Sequence, residues 1–504
     1  HENWSEFMPL ETVIVKDQYR TFVSGEEAEL KAFVLNDTLQ DGDYQVRWMI
    51  GDGTKVLFER SIQSQVGGGE INPFKMGLEL PQVSEPQNLK LNIELLRDSK
   101  TVYNESIDIR IRPAEALSWP ARTVLFDPKG QTAALFSRLK LSARRLSDLR
   151  DLSKIDGIIL GRQALSAMND RQIEQLRSFV QSGGTVLTMG EDSWSMQAAQ
   201  IGLGTRILPQ GRANRAWVRS ANHPAIYGIT DADLALWRDG DWVTGGVLEK
   251  PSEPVGVAWR TLIDVGSTEG LSGAALMEVF DGKGRYLFNQ LNVDKAVQDT
   301  GARAVLAGLL RDVTRKSDDR TDVSLLADQK STIAQMVNEQ AIAQTAWNRD
   351  NTRTPLFIEA DYTQTDPAAI ADWVRSGGRA WLVNLTPEQL ARWSKVISEG
   401  LTLEPCDPQE GCLVRSTDPL MWGVSSEEMF WATGVWTMTC VRTSQSVQDP
   451  YGVWRLAKIA SHEIHTGKNA ISLVSPSTLV RVSDGQGFWL ISTIDFDAGR
   501  EAVG

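Results

Sequence analysis

The chain has no run of 18 or more apolar residues, so no helix long enough to span a bilayer is expected. Cysteine is scarce. Cys406, Cys412 and Cys440 are the whole complement in 504 residues, too few for a disulfide framework and without His or Cys neighbours at metal-ligand spacing. Cys406 and Cys412 could close a small surface loop in an oxidising compartment. Basic charge is also in deficit: 52 Lys and Arg against 65 Asp and Glu leave a net charge of −13, which argues against a nucleic-acid backbone as partner and serves solubility. No Gly-x-Gly-x-x-Gly stands between a strand and a helix, so no dinucleotide fingerprint is present and no cofactor is expected. The chain opens His1-Glu2-Asn3-Trp4, which fits a processed terminus, an expressed fragment or one piece of a longer polypeptide.

What is present reads as about three domains. Residues 1–113 carry short, alternating, β-rich segments: Ala28 to Leu35, Tyr44 to Ile50, Leu89 to Leu95 and Ser106 to Ile111. In Ile107, Ile109 and Ile111 the apolar period is two, with Asp108 and Arg110 between, as a half-buried antiparallel sheet requires. Alternation places Trp48 in the core of such a sandwich. Asn36, Asn104 and Asn384 stand in Asn-x-Ser/Thr acceptor motifs.

From Pro113 and Pro120 onward the pattern changes to α/β, over residues 118–313. Arg122 to Phe126 and Gly157 to Leu160 are short buried strands. Asp170 to Gln181 is an amphipathic helix stopped by Gly183-Gly184, and Thr185 to Met189 begins another strand. The order then recurs over residues 326–504. A helix at Asp366 to Arg375 ends at Gly377-Gly378 and is followed by the strand Arg379 to Val383, with Leu356 to Ile358 as the strand before it. His223-Pro224 aligns with Asp418-Pro419, Trp237 falls near the counterpart of Trp431, and Gly282-Lys283-Gly284 aligns with Gly485-Gln486-Gly487. The offsets are 194, 195 and 203 residues at the Gly-Gly, Pro and hairpin landmarks, an ordered agreement that indicates internal duplication. Both Gly-Gly pairs sit between helix and strand, where C-capping explains them better than phosphate binding.

Several of these segments resemble known families. Phe22-Val23-Ser24-Gly25-Glu26, Val34-Leu35-Asn36-Asp37-Thr38, Tyr44-Gln45-Val46-Arg47-Trp48 and Leu80-Pro81 resemble the immunoglobulin-like sandwich that follows the catalytic barrel in large bacterial glycoside hydrolases of the β-galactosidase and β-glucuronidase type. Val124 to Asp127, Asp156 to Gly161, Phe179 to Gly184, His223-Pro224 and Gly282 to Gly284 resemble a glutamine-amidotransferase-like α/β domain of flavodoxin-like type. The resemblance covers residues 15 to 313 and reaches 326 to 504 through the repeat. It implies a multidomain β plus α/β protein, an immunoglobulin-like sandwich followed by two diverged amidotransferase-like domains. It further implies an accessory, scaffold or oligomerisation region without its own catalytic centre, partnered by a catalytic barrel of the same enzyme, by a carbohydrate ligand or by further copies of itself. A periplasmic or extracellular location follows from the same likeness.

The departures bear on chemistry. An active amidotransferase needs a nucleophilic Cys at a strand-to-helix turn, whereas this chain has Gly190-Glu191-Asp192-Ser193 there and Asn384-Leu385-Thr386-Pro387 in the second copy. No barrel is visible to place the two carboxyl groups of a retaining glycosidase. Catalytic residues and a metal site are therefore not expected, and His462 and His465 lack a third ligand at a recognisable spacing. Residues for ligand contact are Glu191, Asp192, Glu359 and Asp361 at carboxyl ends of strands, His223 for its titratable ring, and Trp237 and Trp431 for their aromatic faces. Trp422 and Trp489 belong to the same aromatic class, and core packing is the competing role for all four tryptophans. A standalone hydrolase with a site between the duplicated units and a carbohydrate-binding module are the rival readings.

Overall fold

The structure is a computed structural model. It describes residues 9–191, 201, 207–208, 212–221, 223–238, 242–250, 259–267, 270–315, 322–339, 342–397, 400–406, 413–415, 418–421, 462–466 and 470–494. The chain is mixed β and α/β, with several sheets and few helices. It forms two compact units, one of His1–Lys250, Thr261–Glu278 and Gly284–Arg315, the other of Pro251–Arg260, Val279–Lys283 and Lys316–Gly504.

The first unit opens with eight strands: β1 Glu11–Val15, β2 Thr21–Val23, β3 Glu27–Asn36, β4 Gly42–Gly51, β5 Val56–Val66, β6 Glu70–Glu79, β7 Gln87–Arg97 and β8 Lys100–Arg112. They form two sheets, β1-β3-β6 and β2-β8-β7-β4-β5, around one core. In β3 the acidic and basic residues face out while Ala28, Leu30, Ala32 and Val34 face in, so the period of two fixes its register. Trp48 is fully buried and its Nε1 donates to the Gly77 carbonyl on the opposite sheet at 2.8 Å. Asn36 is also fully buried. Its Nδ2 donates to the carbonyls of Gln40, Val66 and Gly67, so this acceptor motif closes a turn and offers no exposed amide for a glycan.

An α/β lobe follows in the same unit. Its elements are β9 Thr123–Phe126, α1 Gln131–Arg138, β10 Arg145–Leu146, β11 Gly157–Leu160, α2 Asp170–Gln181, β12 Thr185–Thr188, β13 Ile207–Leu208, β14 Trp217–Val218, β15 Val247–Glu249, β16 Trp259–Ser267, β17 Gly270–Asp281, β18 Gly284–Asn289 and α3 Thr300–Asp312. The sheet runs β10-β9-β11-β12-β18-β17-β15-β13, parallel through its first five strands. Strands β9, β11, β12 and β18 are buried at every residue, which accounts for their largely apolar character, with Arg285 and Asn289 of β18 as buried polar exceptions.

The second unit carries β19 Val323–Leu326, α4 Thr332–Glu339, β20 Gln344–Thr345, β21 Leu356–Glu359, α5 Pro367–Arg375, β22 Arg379–Val383, α6 Pro387–Ile397, β23 Thr402–Pro405, β24 Leu413–Val414, β25 His462–His465, β26 Ala470–Ser475, β27 Leu479–Asp484 and β28 Gly487–Ser492. Its main sheet runs β20-β19-β21-β22-β28-β27-β26-β24, again parallel through the first five. Both lobes therefore use the order second-first-third-fourth-last. The antiparallel continuation agrees too: β14 pairs β16, which pairs β17, just as β24 pairs β26, which pairs β27.

The recurring glycines occupy equal positions in the two lobes. Gly183 and Gly377 have φ of 116° and 115°. Gly184 N–H reaches the Phe179 carbonyl and Gly183 N–H that of Val180, while Gly378 reaches Trp373 and Gly377 reaches Val374. Each is a Schellman closure of the preceding helix.

Candidate functional site

At the carboxyl ends of the parallel strands, the turn after β12 puts Gly190 at φ 99°, and the turn after β22 puts Asn384 at φ 55°. Asn384 lies between β22 and α6, and a positive φ at such a strand-to-helix turn is the geometry that presents a nucleophile in some hydrolases. Here the position holds a hydrogen atom in one lobe and an amide in the other, and neither can attack a carbonyl.

The neighbouring acids are tied into the scaffold. Glu191 is 6% exposed, and its Oε1 accepts from Ala164 N–H at 3.1 Å and Leu165 N–H at 3.4 Å, clamping the loop after β11 to the end of β12. Asp192 lies outside the described residues. In the second unit Glu359, the last residue of β21, accepts from Asn384 Nδ2 at 2.6 Å, and Asp361 is exposed on the next turn. The pairs Glu191/Asp192 and Glu359/Asp361 belong to different compact units.

His223 is fully buried. Its Nδ1 accepts from Ala225 N–H at 3.2 Å, and its Nε2 lies 3.1 Å from Arg315 Nη2 and 3.5 Å from Glu278 Oε2. Glu278 also pairs with the buried Arg285, which reaches Asp312 at 2.9 Å, while Arg315 bridges Asp312 at 2.6 Å and Glu278 at 3.4 Å. This is a closed ion network under β17 and β18. Asp418, 195 residues on, does the same capping job, its Oδ1 accepting from Leu420 N–H at 3.0 Å. It pairs with Arg481 at 3.0 Å, and Arg481 stands 203 residues after Glu278, the hairpin offset. The first lobe sets His223 beside the acid Glu278 and the second sets the acid Asp418 beside Arg481, a difference that hid the equivalence in the sequence. Asp418→Ala is expected to lower the unfolding free energy of the second unit by about 1–3 kcal/mol. Asp418→Asn, which keeps the cap and loses the charge, should cost less. Urea denaturation of both variants reads the difference, and equal losses would show that the cap contributes nothing.

Trp237 is 2% exposed and donates Nε1–H to the Asp233 carbonyl at 2.9 Å, so it is a wall residue. Trp489 is fully buried against Trp393, ring centroids 6.0 Å apart. Trp422 and Trp431 lie outside the described residues, as does Cys412, the second half of the proposed Cys406 loop closure.

Sequence reasoning overlooked a cavity of about 620 Å³ within the first unit, between the β1–β3 side of the sandwich and the α/β lobe. It is lined by Lys16, Asp17, Gln18, Tyr19, Glu29 and Lys31 from the sandwich and by Asn214, Leu236, Trp237 and Trp242 from the lobe. The junction beside it is rigid. Arg238 makes two hydrogen bonds to Glu26, at 2.6 and 2.7 Å, and stacks over Tyr19 at 4.8 Å. Burial works to lower the Arg238 pKa, but the bonds and charge of Glu26 outweigh it and the value is raised. Burial pushes the carboxyl of Asp299 upward against the backbone N–H groups of Ala302, Arg238 and Gly301 that it accepts.

Among the described residues one group brings three metal-ligating side chains together: Glu404, Glu463 and His465, within 4.8 Å of one another. Glu404 comes from β23, directly opposite Glu463 on β25, so no local spacing could reveal it. His465 Nε2 lies 3.5 Å from Glu463 and 3.7 Å from Glu404, close enough for an imidazolium to offset two like charges without an ion.

No family model matches this sequence, and no curated protein matches it. Among solved structures, a β-glucosidase from Listeria innocua in complex with gluconolactone is similar at 12% identity, over 20% of this chain and 16% of that one, with a TM-score of 0.17. The alkylpurine DNA glycosylase AlkC of Pseudomonas fluorescens, bound to DNA containing an abasic site analog, is similar at 12% identity over 20% of this chain and 29% of that one, with a TM-score of 0.15. The chain spans less than a third of either protein, and a sugar enzyme and a DNA enzyme score alike, so these likenesses carry no functional argument.

Proposed function

We propose that this chain is a non-catalytic accessory region of a larger carbohydrate-active glycoside hydrolase. In this reading an immunoglobulin-like sandwich is followed by two flavodoxin-like, amidotransferase-like lobes that descend from one duplicated unit, and these support or assemble the catalytic portion. The observation that supports the non-catalytic part is that the positive-φ positions just past β12 and β22 are Gly190 and Asn384, neither of which is a nucleophile. Two further features support descent from one unit: the common strand order and the equivalent placement of the pairs His223/Glu278 and Asp418/Arg481. The carbohydrate assignment rests on the sequence resemblance described above.

The test is direct. The purified 504-residue chain is expected to give no turnover above buffer with a panel of aryl-glycosides and polysaccharides. Robust turnover that survives further purification would sink the accessory reading and favour a self-contained hydrolase. Sedimentation at high concentration tests assembly, and a monomer throughout would remove the oligomerisation role.

A further inference from the structure

We infer that the cavity between the sandwich and the first α/β lobe is a binding site for a short, neutral oligosaccharide, with Trp242 as its stacking platform. The inference deepens the accessory reading by giving that region a ligand of its own.

Trp242 lines the cavity and is 45% exposed, although a tryptophan gains most by burial. Its backbone is held in place, since the carbonyl accepts from Asn292 Nδ2 at 3.0 Å. The exposed indole is therefore offered from a fixed point.

The polar lining then selects the ligand. Among the described lining residues Lys16 and Lys31 are balanced by Asp17 and Glu29, which favours neither an anion nor a cation. A purely apolar ligand would strip water from these groups without replacing their hydrogen bonds. Lysine and amide N–H groups donate, whereas carboxylate and amide oxygens accept. A polyhydroxylated ligand does both at every hydroxyl, and the C–H face of a pyranose ring covers an indole. The volume of about 620 Å³ lies in the usual range for small-molecule sites.

The walls are preorganised. Asp17 Oδ2 accepts from Lys31 N–H at 2.7 Å, and Arg20 binds the Asp17 carbonyl at 2.9 Å, so the segment before β2 is fixed. On the facing wall Leu236 has φ 52°, a left-handed conformation that costs a bulky residue energy, and its N–H is held by the Asn214 carbonyl at 2.7 Å. A site whose walls are ordered before binding loses less entropy when it is filled.

The experiment is calorimetric titration of the full chain with cellohexaose, xylohexaose and mannohexaose, and with tetragalacturonate as an anionic comparator. At least one neutral oligosaccharide should bind, and Trp242→Ala should weaken it by about tenfold or more, as removal of a central aromatic anchor does. Trp217→Ala, at another tryptophan that is 41% exposed and does not line the cavity, should leave affinity unchanged and serves as the folded control. Asn214→Ala, on the facing side, should weaken binding too. The inference is overturned if no neutral oligosaccharide binds, if only tetragalacturonate binds, or if Trp242→Ala binds as the parent does. Lack of binding together with lack of turnover removes the groove and leaves the accessory reading standing, whereas turnover removes the latter alone.

Discussion

Asp233→Ala is expected to lower the stability of the first unit by about 3–5 kcal/mol, the loss usual when one partner of a buried ion pair is removed. Asp233 is fully buried, and a single oxygen, Oδ2, accepts from Arg112 Nη1 at 3.0 Å and from both N–H and O–H of Thr230, with Arg110 Nε 3.1 Å away as an ion-pair partner. Both arginines come from β8 of the sandwich, and Asp233 comes from a single-turn helix of the lobe, Asp231–Leu234. Removing the carboxylate leaves two buried guanidinium groups facing each other, with the Gly228 carbonyl as their main shared acceptor. Burial already lowers the Arg110 pKa, the mark of a cation held at a cost by its environment. The triple replacement Arg110→Met, Arg112→Met, Asp233→Leu removes these three charges at once and should recover most of the loss, because the penalty comes from the uncompensated guanidinium groups and Glu115 keeps Arg311 nearby. Urea denaturation of the two variants decides the matter. A midpoint unmoved in Asp233→Ala would sink this account of the junction, and so would a triple variant as unstable as the single one.

Much of the architecture was legible because it is written in periodicity and punctuation. Alternation in Ala28 to Leu35 and continuous apolar runs such as Gly157 to Leu160 located β3 and β11, and Gly-Gly marked both Schellman turns. Strand β5 escaped because it is largely exposed and Arg60 and Ser64 interrupt the alternating apolar positions Phe58, Ile62 and Val66. Side-chain partnership was harder still. His223 and Asp418 looked like a mismatch until Glu278 and Arg481 were placed beside them, and the information lies in the pair. Trp242 gave no signal of its own, since exposure depends on which chain segments meet. The cavity exists because a sandwich segment at Lys16 to Tyr19 meets a lobe segment more than 190 residues away, a separation that no local pattern spans.

The recurring glycine at the start of the last parallel strand gives the largest expected effect that can be posed twice in one molecule. A methyl group on Gly284 would stand 2.1 Å from the Val180 carbonyl oxygen and 2.2 Å from that of Gly184. On Gly487 it would stand 2.1 Å from the Gly378 carbonyl oxygen and 2.2 Å from that of Val374. The obstacles are backbone atoms in every case, so no rotamer change can relieve the overlap, and the strand must withdraw from the helix end it packs against. Withdrawal would strain the bonds from Arg285 N–H to Gly184 and from Phe488 N–H to Gly378. Gly284→Ala and Gly487→Ala should therefore each cost about 3 kcal/mol or more in their respective units, above the common range for a single substitution. Gly53→Ala isolates the other contribution. Gly53 has φ 92° with nothing within 4 Å of the added carbon, so only the backbone penalty of about 1–2 kcal/mol applies. Thermal and urea unfolding of the three variants compares overlap with conformational strain. If Gly284→Ala and Gly487→Ala lost no more than Gly53→Ala, the overlap would be relieved at little cost and the steric account would fail; large losses of equal size in both lobes mean that the same steric lock closes each sheet.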